Sequence, residues 1–468
     1  MCAALLTFST LSAPVFPRST AAAMQIPRRA IGHGLTAGPR TDTAHAPTGG
    51  ATARQSPVRP STGVPIDTTA EIPGARYTIF LLTMGNGAQI WELFGHNGIW
   101  VHDAETHTDV VYNWGVFDFR APNFILHFLQ DRNMYKVDTL SMAGTMYEYR
   151  AWNRSVTAQR LNLSNAQKLQ LVQFLQWNER PENQEYRYDY FRDNCSTRAR
   201  DALDRVLGGR IRALTEHVPS GTTYRREALR LMQGDQPIAS GADIGLGRPA
   251  DRPISVYQAM FLPRKLHDFV ATMQIPDSAG RPQPLVAAEQ VMFQAVRPPE
   301  FTAPPDLVLP FLIAGLVIAG LIIWLGVVTR SQPAPAATAL LSMVLCLWSV
   351  VAGILGLLLT LLWTVTDHTF AYQNENLLLF NVVWLALAVM LPVWLVRGAW
   401  EKPTRILVLI VGALAGVAVL LHAIGLSRQV NFAEIALALP PAASLVWLVA
   451  TRPPRLGKLG AELSSRGA

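Results

Sequence analysis

The sequence predicts an α+β extracytoplasmic domain followed by an all-α bundle of about five transmembrane helices. Half of the 468 residues are hydrophobic and only 16% are charged, a low share for a soluble protein. The apolar excess lies after residue 306, in stretches long enough to cross a bilayer. Residues 71–306 instead mix short β-rich segments with amphipathic ones. We therefore expect a disordered or processed leader (1–70), an extracytoplasmic domain (71–297), a linker (298–306), a transmembrane helical domain (307–451) and a cytoplasmic tail (452–468).

The net charge of +7 is distributed unevenly along the chain. Residues 71–306 carry 25 basic and 26 acidic side chains, so this part of the chain is nearly neutral. The basic excess lies in the leader and in short segments between apolar stretches. A nucleic-acid-binding face is therefore not indicated, in spite of the alkaline isoelectric point.

Five apolar stretches follow residue 306, and each is a predicted membrane span, although the last contains two prolines. They are Leu307–Val328, Ala339–Val365, Leu377–Val396, Ile406–Leu426 and Ile435–Ala450. With residue 306 outside, the three cytoplasmic segments carry eight Lys or Arg residues and the two outer loops carry one. The positive-inside rule supports this orientation. It places the loop 366–376 on the same side as the extracytoplasmic domain.

Periodicity and capping signals predict the elements of the extracytoplasmic domain. Ser164 and Gln167 have the spacing of a capping box, so a helix is expected to begin there. The other expected elements are a strand at Tyr77–Thr83, a short helix at Ala88–Phe94, a hairpin of Asn97–Val101 with Val110–Trp114, a strand at Tyr186–Phe191 and a helix at Cys195–Leu207.

Cys195 is the residue whose chemistry needs explanation. The other cysteines are Cys2 near the start and Cys346 inside an apolar stretch, and no CxxC motif is present. Cys195 begins a predicted helix, with Asn194 as its N-cap. A helix start lowers the pKa of a thiol and offers backbone N–H groups to an oxyanion. Cys195 is therefore a candidate nucleophile.

His96 and Asn113 are the candidate partners of this thiol. His96 lies at the entrance of one predicted strand and Asn113 on the next strand. A histidine can act as the general base, and a third polar group fixes its orientation. The alternatives are an inert, buried Cys195, a turn or cap at His96 and an Asn113 that only satisfies a strand end. The combination of one free thiol with a histidine favours catalysis.

Two further groups of polar residues have weaker patterns. Arg198 can contact a substrate carbonyl, and the alternative is a surface ion pair with Asp201. Four residues with metal-ligand side chains occupy a predicted hairpin turn, where such residues are common. These are His102, Asp103, His107 and Asp109. We expect no metal and no cofactor.

Three motifs together resemble the bacterial Lnb family of lipoprotein N-acyltransferases, which generate the lyso form. They are Gly95–Ile99 around His96, Tyr112–Gly115 around Asn113 and Asp193–Arg198 around Cys195. The order of histidine before cysteine is similar to that of circularly permuted NlpC-type papain-like folds. The resemblance therefore implies a permuted papain-like (NlpC-type) fold for the extracytoplasmic domain, over about residues 75–215.

The outer loop between the second and third spans resembles the membrane-domain signature of the same family. It contains His368, Asn374 and Asn376, at the end of two spans where the extracytoplasmic domain must dock. We expect these three residues to bind an acyl-ester substrate at the bilayer surface. The alternative is that they hydrogen-bond only the backbone of the loop.

The resemblance and the Cys–His pattern together imply acyl transfer through a thioester on Cys195. The expected partners are diacylglyceryl-modified lipoproteins and membrane lipid, with no nucleic acid, and the expected location is the bacterial cytoplasmic (inner) membrane. One alternative is a membrane-anchored cysteine peptidase or amidase that acts on cell-wall peptide, with water as the acceptor. A non-catalytic membrane receptor or scaffold is the other.

Overall fold

The computed structural model describes residues 72–117, 123–331 and 334–452. The predicted leader and nearly all of the predicted cytoplasmic tail lie outside these residues. The strands are β1 (Tyr77–Met84), β2 (His96–Asp103), β3 (Thr108–Val116), β4 (Met134–Ser141), β5 (Val156–Leu161), β6 (Glu185–Arg187), β7 (Pro219–Thr223), β8 (Pro253–Ser255), β9 (Gln274–Pro276), β10 (Pro282–Pro284) and β11 (Val286–Phe293).

The helices divide into nine short ones, described before residue 300, and five long ones after it. The short helices are α1 (Phe124–Leu129), α2 (Met142–Ala151), α3 (Asn165–Glu179), α4 (Cys195–Val206), α5 (Arg210–Thr215), α6 (Tyr224–Met232), α7 (Gln236–Gly245), α8 (Val256–Ala259) and α9 (Pro263–Thr272). The long helices are α10 (Val308–Ser331), α11 (Pro335–Thr364), α12 (Val383–Arg397), α13 (Glu401–Ala423) and α14 (Phe432–Thr451). The predicted mixed α+β domain with a helical bundle is thus confirmed.

An antiparallel sheet forms the centre of the first domain, with the strand order β11-β5-β1-β2-β3-β4-β6. Successive side chains along a strand point to opposite faces of the sheet. On one face, Ile79 and Ile99 pack with Leu171 of α3 and Leu203 of α4. On the other, Leu82, Met84 and Val111 pack with Met146 of α2. Because both faces are covered, β1 and β2 are rich in apolar residues.

The two predicted helix starts are confirmed, because the capping hydrogen bonds expected at each are present. The Ser164 hydroxyl accepts the Gln167 backbone N–H, and the Gln167 side chain accepts the Ser164 N–H. The Asn194 side chain accepts the N–H groups of Ser196 and Thr197. The predicted hairpin of β2 and β3 is confirmed as well, with Gly98 opposite Asn113.

Two predicted elements are wrong in extent. Within Ala88–Phe94 only Ile90–Glu92 is helical, as a single 3₁₀ turn, because the Glu92 carboxylate accepts the N–H groups of residues 88 and 89. The predicted strand at Tyr186–Phe191 is reduced to β6. It ends because the Asp189 carboxylate accepts the N–H groups of residues 191 and 192, which forms a turn before Cys195.

Five helices in the described part of the chain are long and apolar enough to cross a membrane. They correspond to the five predicted spans, and α14 runs through Pro440 and Pro441 as one helix. Glycines allow close approach of the helices: a Cβ on Gly356 of α11 would lie 2.3 Å from the backbone of Asn381. Residues 294–307, between β11 and α10, form neither helix nor strand. The described residues between 72 and 452 belong to one compact unit, so the sheet domain and the bundle pack together.

Candidate active site

Cys195 occupies the first position of α4 and is 8% exposed. The turn before it is fixed by Asn194, whose side-chain nitrogen donates to the carbonyl oxygens of Tyr190 and Phe261. The following residue is fixed in the same way, since the Ser196 hydroxyl donates to the Met260 carbonyl at 2.7 Å. The thiol is thus held in one place by bonds on both sides of it.

The sequence predicts that the free backbone N–H groups of the helix start face an oxyanion, but two of these groups already have a partner. Those of Ser196 and Thr197 are already bonded to the Asn194 side-chain oxygen, at 2.9 and 3.0 Å. The sulfur is approached by the N–H groups of Asn97 on β2, of Ser196 and of Cys195 itself. The strand and the first helical residue therefore offer the donors that can face an oxyanion.

The expected lowering of the Cys195 pKa is wrong. Burial raises the pKa of the thiol, and this effect outweighs the backbone hydrogen bonds from Asn97 and Ser196 and the Arg154 guanidinium, which all lower it. Desolvation disfavours the charged thiolate more than the helix start favours it. The resting site therefore holds a neutral thiol, which needs a base to become a nucleophile.

His96 is the candidate for that base. Its Nε2 lies 3.4 Å from the Oδ1 of Asn113, at the long end of hydrogen-bond distances. In the neutral ring Nε2 then donates to Asn113, and Nδ1 is left as the proton acceptor. Burial and, to a smaller extent, the Arg154 guanidinium lower the pKa of His96 to about 4, and the hydrogen bond to Asn113 opposes this shift. The imidazole is therefore neutral at pH 7.

The strand register explains how Asn113 reaches His96. Asn113 lies opposite Gly98, two residues along β2 from His96 and on the same face of the sheet. A Cβ on Gly98 would lie 3.1 Å from the Asn113 Oδ1. Glycine at this position therefore leaves the space through which the Asn113 side chain passes diagonally to the imidazole.

A cavity of about 480 Å³ joins the sheet domain to the bundle. Cys195 and His96 line it, together with Leu362 of α11 and His368 and Phe370 of the outer loop. Most of its walls are apolar or aromatic. No hydrogen bond links the Cys195 thiol to His96 in the described residues, so the two groups share a cavity without a formed bond. Contacts of this kind are often loose before substrate binds.

His368 is the residue of the outer loop that the structure brings to the cavity. Its Nδ1 is hydrogen-bonded to the Tyr190 hydroxyl, and it lies 3.7 Å from the Asp131 carboxylate. Burial lowers the pKa of His368 to about 4, while a hydrogen bond to the Leu129 carbonyl opposes this shift. The neutral His368 imidazole, which belongs to the bundle, therefore contacts the turn that precedes Cys195.

Asn374 and Asn376 lie elsewhere, in the contact between the loop and the sheet domain. The Asn374 side-chain nitrogen donates to the carbonyl oxygens of residues 244–246, and that of Asn376 donates to the Ile244 carbonyl. Their oxygens accept from Gln429 and Asn431. These bonds occupy both amides and dock the domain on the bundle, and neither residue lines the cavity.

Arg198 is also committed to partners. Its guanidinium forms two bonds to the Asp193 carboxylate, at 2.6 and 2.7 Å, and stacks 3.7 Å from the Tyr186 ring. The alternative ion pair with Asp201 is wrong, because Asp201 instead accepts bonds from Arg200 and Tyr257. Arg198 therefore braces the turn before Cys195 and does not line the cavity.

The polar residues of the hairpin turn lie apart from this site. His102 Nδ1 lies 2.9 Å from the Asp109 carboxylate, which also accepts the Trp100 indole N–H. Asp103 accepts the Glu105 N–H, and His107 is exposed. In the described ranges no group of three or more such side chains has the arrangement of a metal site.

Arg154 and Asp131 are among the charged residues of the cavity that sequence reasoning missed. Arg154 is 5% exposed, donates to the Gly85 carbonyl and lies 3.6 Å from the Glu92 carboxylate. Neither residue belongs to a motif. A charged residue just before an apolar strand, as Arg154 stands before β5, is a weak signal that the sequence does contain.

Residues 67–228 match the family model described as the Lnb N-terminal periplasmic domain. This part of the chain is therefore similar to the N-terminal periplasmic domain of the Lnb family. The Lnb domain holds Cys195, His96 and Asn113, whereas His368 and the five spans lie beyond the matched range. The chain is thus a multi-pass membrane protein with an Lnb periplasmic domain. No curated protein and no solved structure matches the chain, and the papain-like fold and the domain boundaries stay predictions.

Proposed function

We propose that this chain is a lipoprotein N-acyltransferase of the bacterial inner membrane. It moves one acyl chain from the diacylglyceryl group of a lipoprotein to a lipoprotein α-amino group, through a thioester on Cys195. The observation that carries the proposal is the cavity that Cys195 and His96 share with Leu362 and His368 of the bundle. A nucleophile in such a place can meet an ester at the membrane surface.

In the first half-reaction, His96 Nδ1 takes the thiol proton and the Cys195 sulfur attacks the ester carbonyl carbon. The C–O bond breaks, His96 returns the proton to the departing glycerol oxygen, and the acyl chain remains on sulfur as a thioester. Two features of the site support this step. The His96 ring is neutral, and Asn113 holds Nε2 so that Nδ1 is the basic atom.

In the second half-reaction, a neutral α-amino nitrogen attacks the thioester carbonyl carbon. The C–S bond breaks, and a proton from the amine reaches the sulfur through His96, which regenerates the Cys195 thiol. The N–H groups of Asn97 and Cys195 stabilise the oxyanion of both tetrahedral intermediates. The products are an N-acylated lipoprotein and a lyso glyceryl group.

The walls of the cavity support an acyl chain as the group that is transferred. Phe191 packs edge-on against Phe261 and Phe370, with ring centroids 5.2 and 4.5 Å apart. All three rings line the cavity, and Phe370 comes from the bundle. Burial of an acyl chain against these rings is favourable, whereas a polar cell-wall peptide would lose hydrogen bonds to water there.

The test uses the full-length protein in detergent with a diacylated lipoprotein. Fragment spectra of the lipoprotein N-terminus locate the acyl chain on glycerol or on nitrogen. We expect transfer by the unmodified protein and by Cys346→Ala, and none by Cys195→Ala. Transfer by Cys195→Ala would exclude the thioester. Cleavage of cell-wall peptide with an unchanged lipoprotein would instead support the peptidase alternative.

A further inference from the structure

We propose that Asp131 is the binding site and the proton acceptor for the α-ammonium group of the lipoprotein that receives the acyl chain. This inference rests on the proposed function and names the residue that selects an amine as the acceptor. Asp131 lines the same cavity as Cys195, His96 and His368. Its side chain is 17% exposed, so a ligand in the cavity can reach it.

The Asp131 carboxylate has no hydrogen-bond donor in the described part of the chain. The His368 Nδ1 lies 3.7 Å from this carboxylate, beyond hydrogen-bond distance. The neutral His368 ring has a single N–H, which the Leu129 carbonyl engages, and its Nδ1 is bonded to the Tyr190 hydroxyl. The ring therefore has no second hydrogen for Asp131. A buried carboxylate without a donor is costly unless a ligand supplies one.

Among the described residues, the two arginines nearest to Asp131 in the sequence and the fold are paired with another carboxylate, that of Asp367. Arg187 donates to the Asp131 backbone oxygen at 3.2 and 3.0 Å, and its charge is paired with Asp367 at 2.8 Å. Arg132 is paired with the same Asp367 carboxylate at 2.8 Å. Asp189 adds a further negative charge nearby. The site thus has a net negative potential, which favours a cation.

The pKa of Asp131 is suitable for a general base that works near neutral pH. Burial, with smaller effects of Asp189 and Asp367, raises the pKa of Asp131 to about 7, and the Arg187 guanidinium opposes this shift. A general base is most effective when its pKa is close to the working pH. An α-amino group has a pKa of about 7.7–8.0, so its proton can pass to Asp131 at little cost.

With Asp131 as the acceptor, every proton of the second half-reaction has a donor and an acceptor. The α-ammonium nitrogen gives one proton to the Asp131 carboxylate and becomes a neutral amine. The nitrogen attacks the thioester carbon, the C–S bond breaks, and the second amine proton passes through His96 to the Cys195 sulfur. Asp131 finally releases its proton to solvent. One proton is set free for each amide bond formed.

The backbone around Asp131 is held by both domains. Asp131 has a φ of +58°, in the left-handed region that asparagine and aspartate tolerate better than most residues. The preceding Gln130 carbonyl accepts the Asp367 backbone N–H from the bundle loop at 2.9 Å. Asp131→Asn can keep this backbone conformation and the side-chain shape while it removes the charge, which makes it a suitable test.

The experiment separates the two half-reactions in the full-length protein. Acyl-enzyme is measured from the intact mass of the protein, and transfer is measured from the lipoprotein N-terminus. In Asp131→Asn we expect acyl-enzyme to form within about twofold of the normal rate and to accumulate, with transfer slowed by about 10²-fold, the lower range for loss of a general base. Hydroxylamine, an uncharged amine at neutral pH, should release the acyl group equally fast from both proteins.

The control is Asp138→Asn on β4, which removes a carboxylate that does not line the cavity. It should transfer at the normal rate, and Asp131→Glu should recover part of the transfer lost in Asp131→Asn. Normal transfer by Asp131→Asn would overturn the inference while the proposed function stands. Absence of an acyl-enzyme in the unmodified protein would overturn the proposed function and the inference together. Formation of acyl-enzyme in Asp131→Asn also reports that the variant is folded.

Discussion

The Tyr190 hydroxyl is hydrogen-bonded to Nδ1 of His368, although the two residues are 178 positions apart in the chain. Tyr190 belongs to the turn that leads into Cys195, and His368 belongs to the loop between α11 and α12. The two rings are nearly parallel, with centroids 6.0 Å apart. The bundle therefore contacts the segment that carries the candidate nucleophile, which leads to the first prediction.

His368→Ala should reduce acyl transfer by about tenfold to a hundredfold, since small displacements of a reacting group cost rates of this order. The variant loses the bonds of the His368 ring to the Tyr190 hydroxyl and to the Leu129 carbonyl, so the loop no longer holds the turn before Cys195. The measurement is the transfer rate of the full-length variant. The exposed His107→Ala is the matched control. An unchanged rate in His368→Ala would mean that the bundle does not shape the site.

Cys195 should react slowly with iodoacetamide at neutral pH and faster as the pH rises above 9. Burial raises the pKa of this thiol, so the reactive thiolate is scarce until the pH approaches that pKa. Arg154→Met should slow the reaction further, because the guanidinium lowers the thiol pKa. The rate is measured by mass spectrometry of the Cys195 peptide, with the exposed Arg150→Met on α2 as control. Rapid labelling at pH 7 would show that the thiolate is formed in the resting protein.

Gly98→Ala should reduce transfer by about as much as Asn113→Ala does. The added methyl group would lie 3.1 Å from the Asn113 Oδ1 and displace that side chain from His96. Without this bond the imidazole loses its fixed orientation, and we expect a loss of about tenfold to a hundredfold. Transfer rates of the single variants and of the double variant are compared. Gly320→Ala, where a Cβ would meet nothing, is the control. If the losses in Gly98→Ala and Asn113→Ala add in the double variant, Gly98→Ala does not act by displacing Asn113 from His96.

Asn376→Ala should lower the stability of the junction between the domain and the bundle. The Asn376 side chain is fully buried, and its removal leaves the Asn431 side-chain N–H without its partner and takes one of two donors from the Ile244 carbonyl. Each buried polar group left unpaired costs about 1–3 kcal/mol. A lower melting temperature and faster proteolysis within residues 294–307 are expected. The exposed Gln176→Ala on α3 should change neither. A normal melting temperature in Asn376→Ala would contradict the docking role.

Local rules predicted the features that depend on near neighbours in the chain. The Ser164–Gln167 capping box and the Asn194 cap are determined by residues within three positions of each other, and both are present. The five spans follow from length and composition alone. The neutral state of Cys195 could not be predicted in this way, because it depends on burial by distant elements. The same holds for Asp131, which reaches the cavity through the packing of a bundle loop.

The junction between the Lnb domain and the bundle is held by two kinds of bond, and they respond differently to salt. The Asn374 and Asn376 contacts are buried and uncharged, so dissolved ions do not screen them. The contacts of Asp367 with Arg132 and Arg187 are partly exposed ion pairs, which salt weakens. High ionic strength should therefore weaken the junction at Asp367 while the contacts of Asn374 and Asn376 remain. The Lnb domain would then rotate about the side that these two asparagines hold. The edge that opens is the one beside His368.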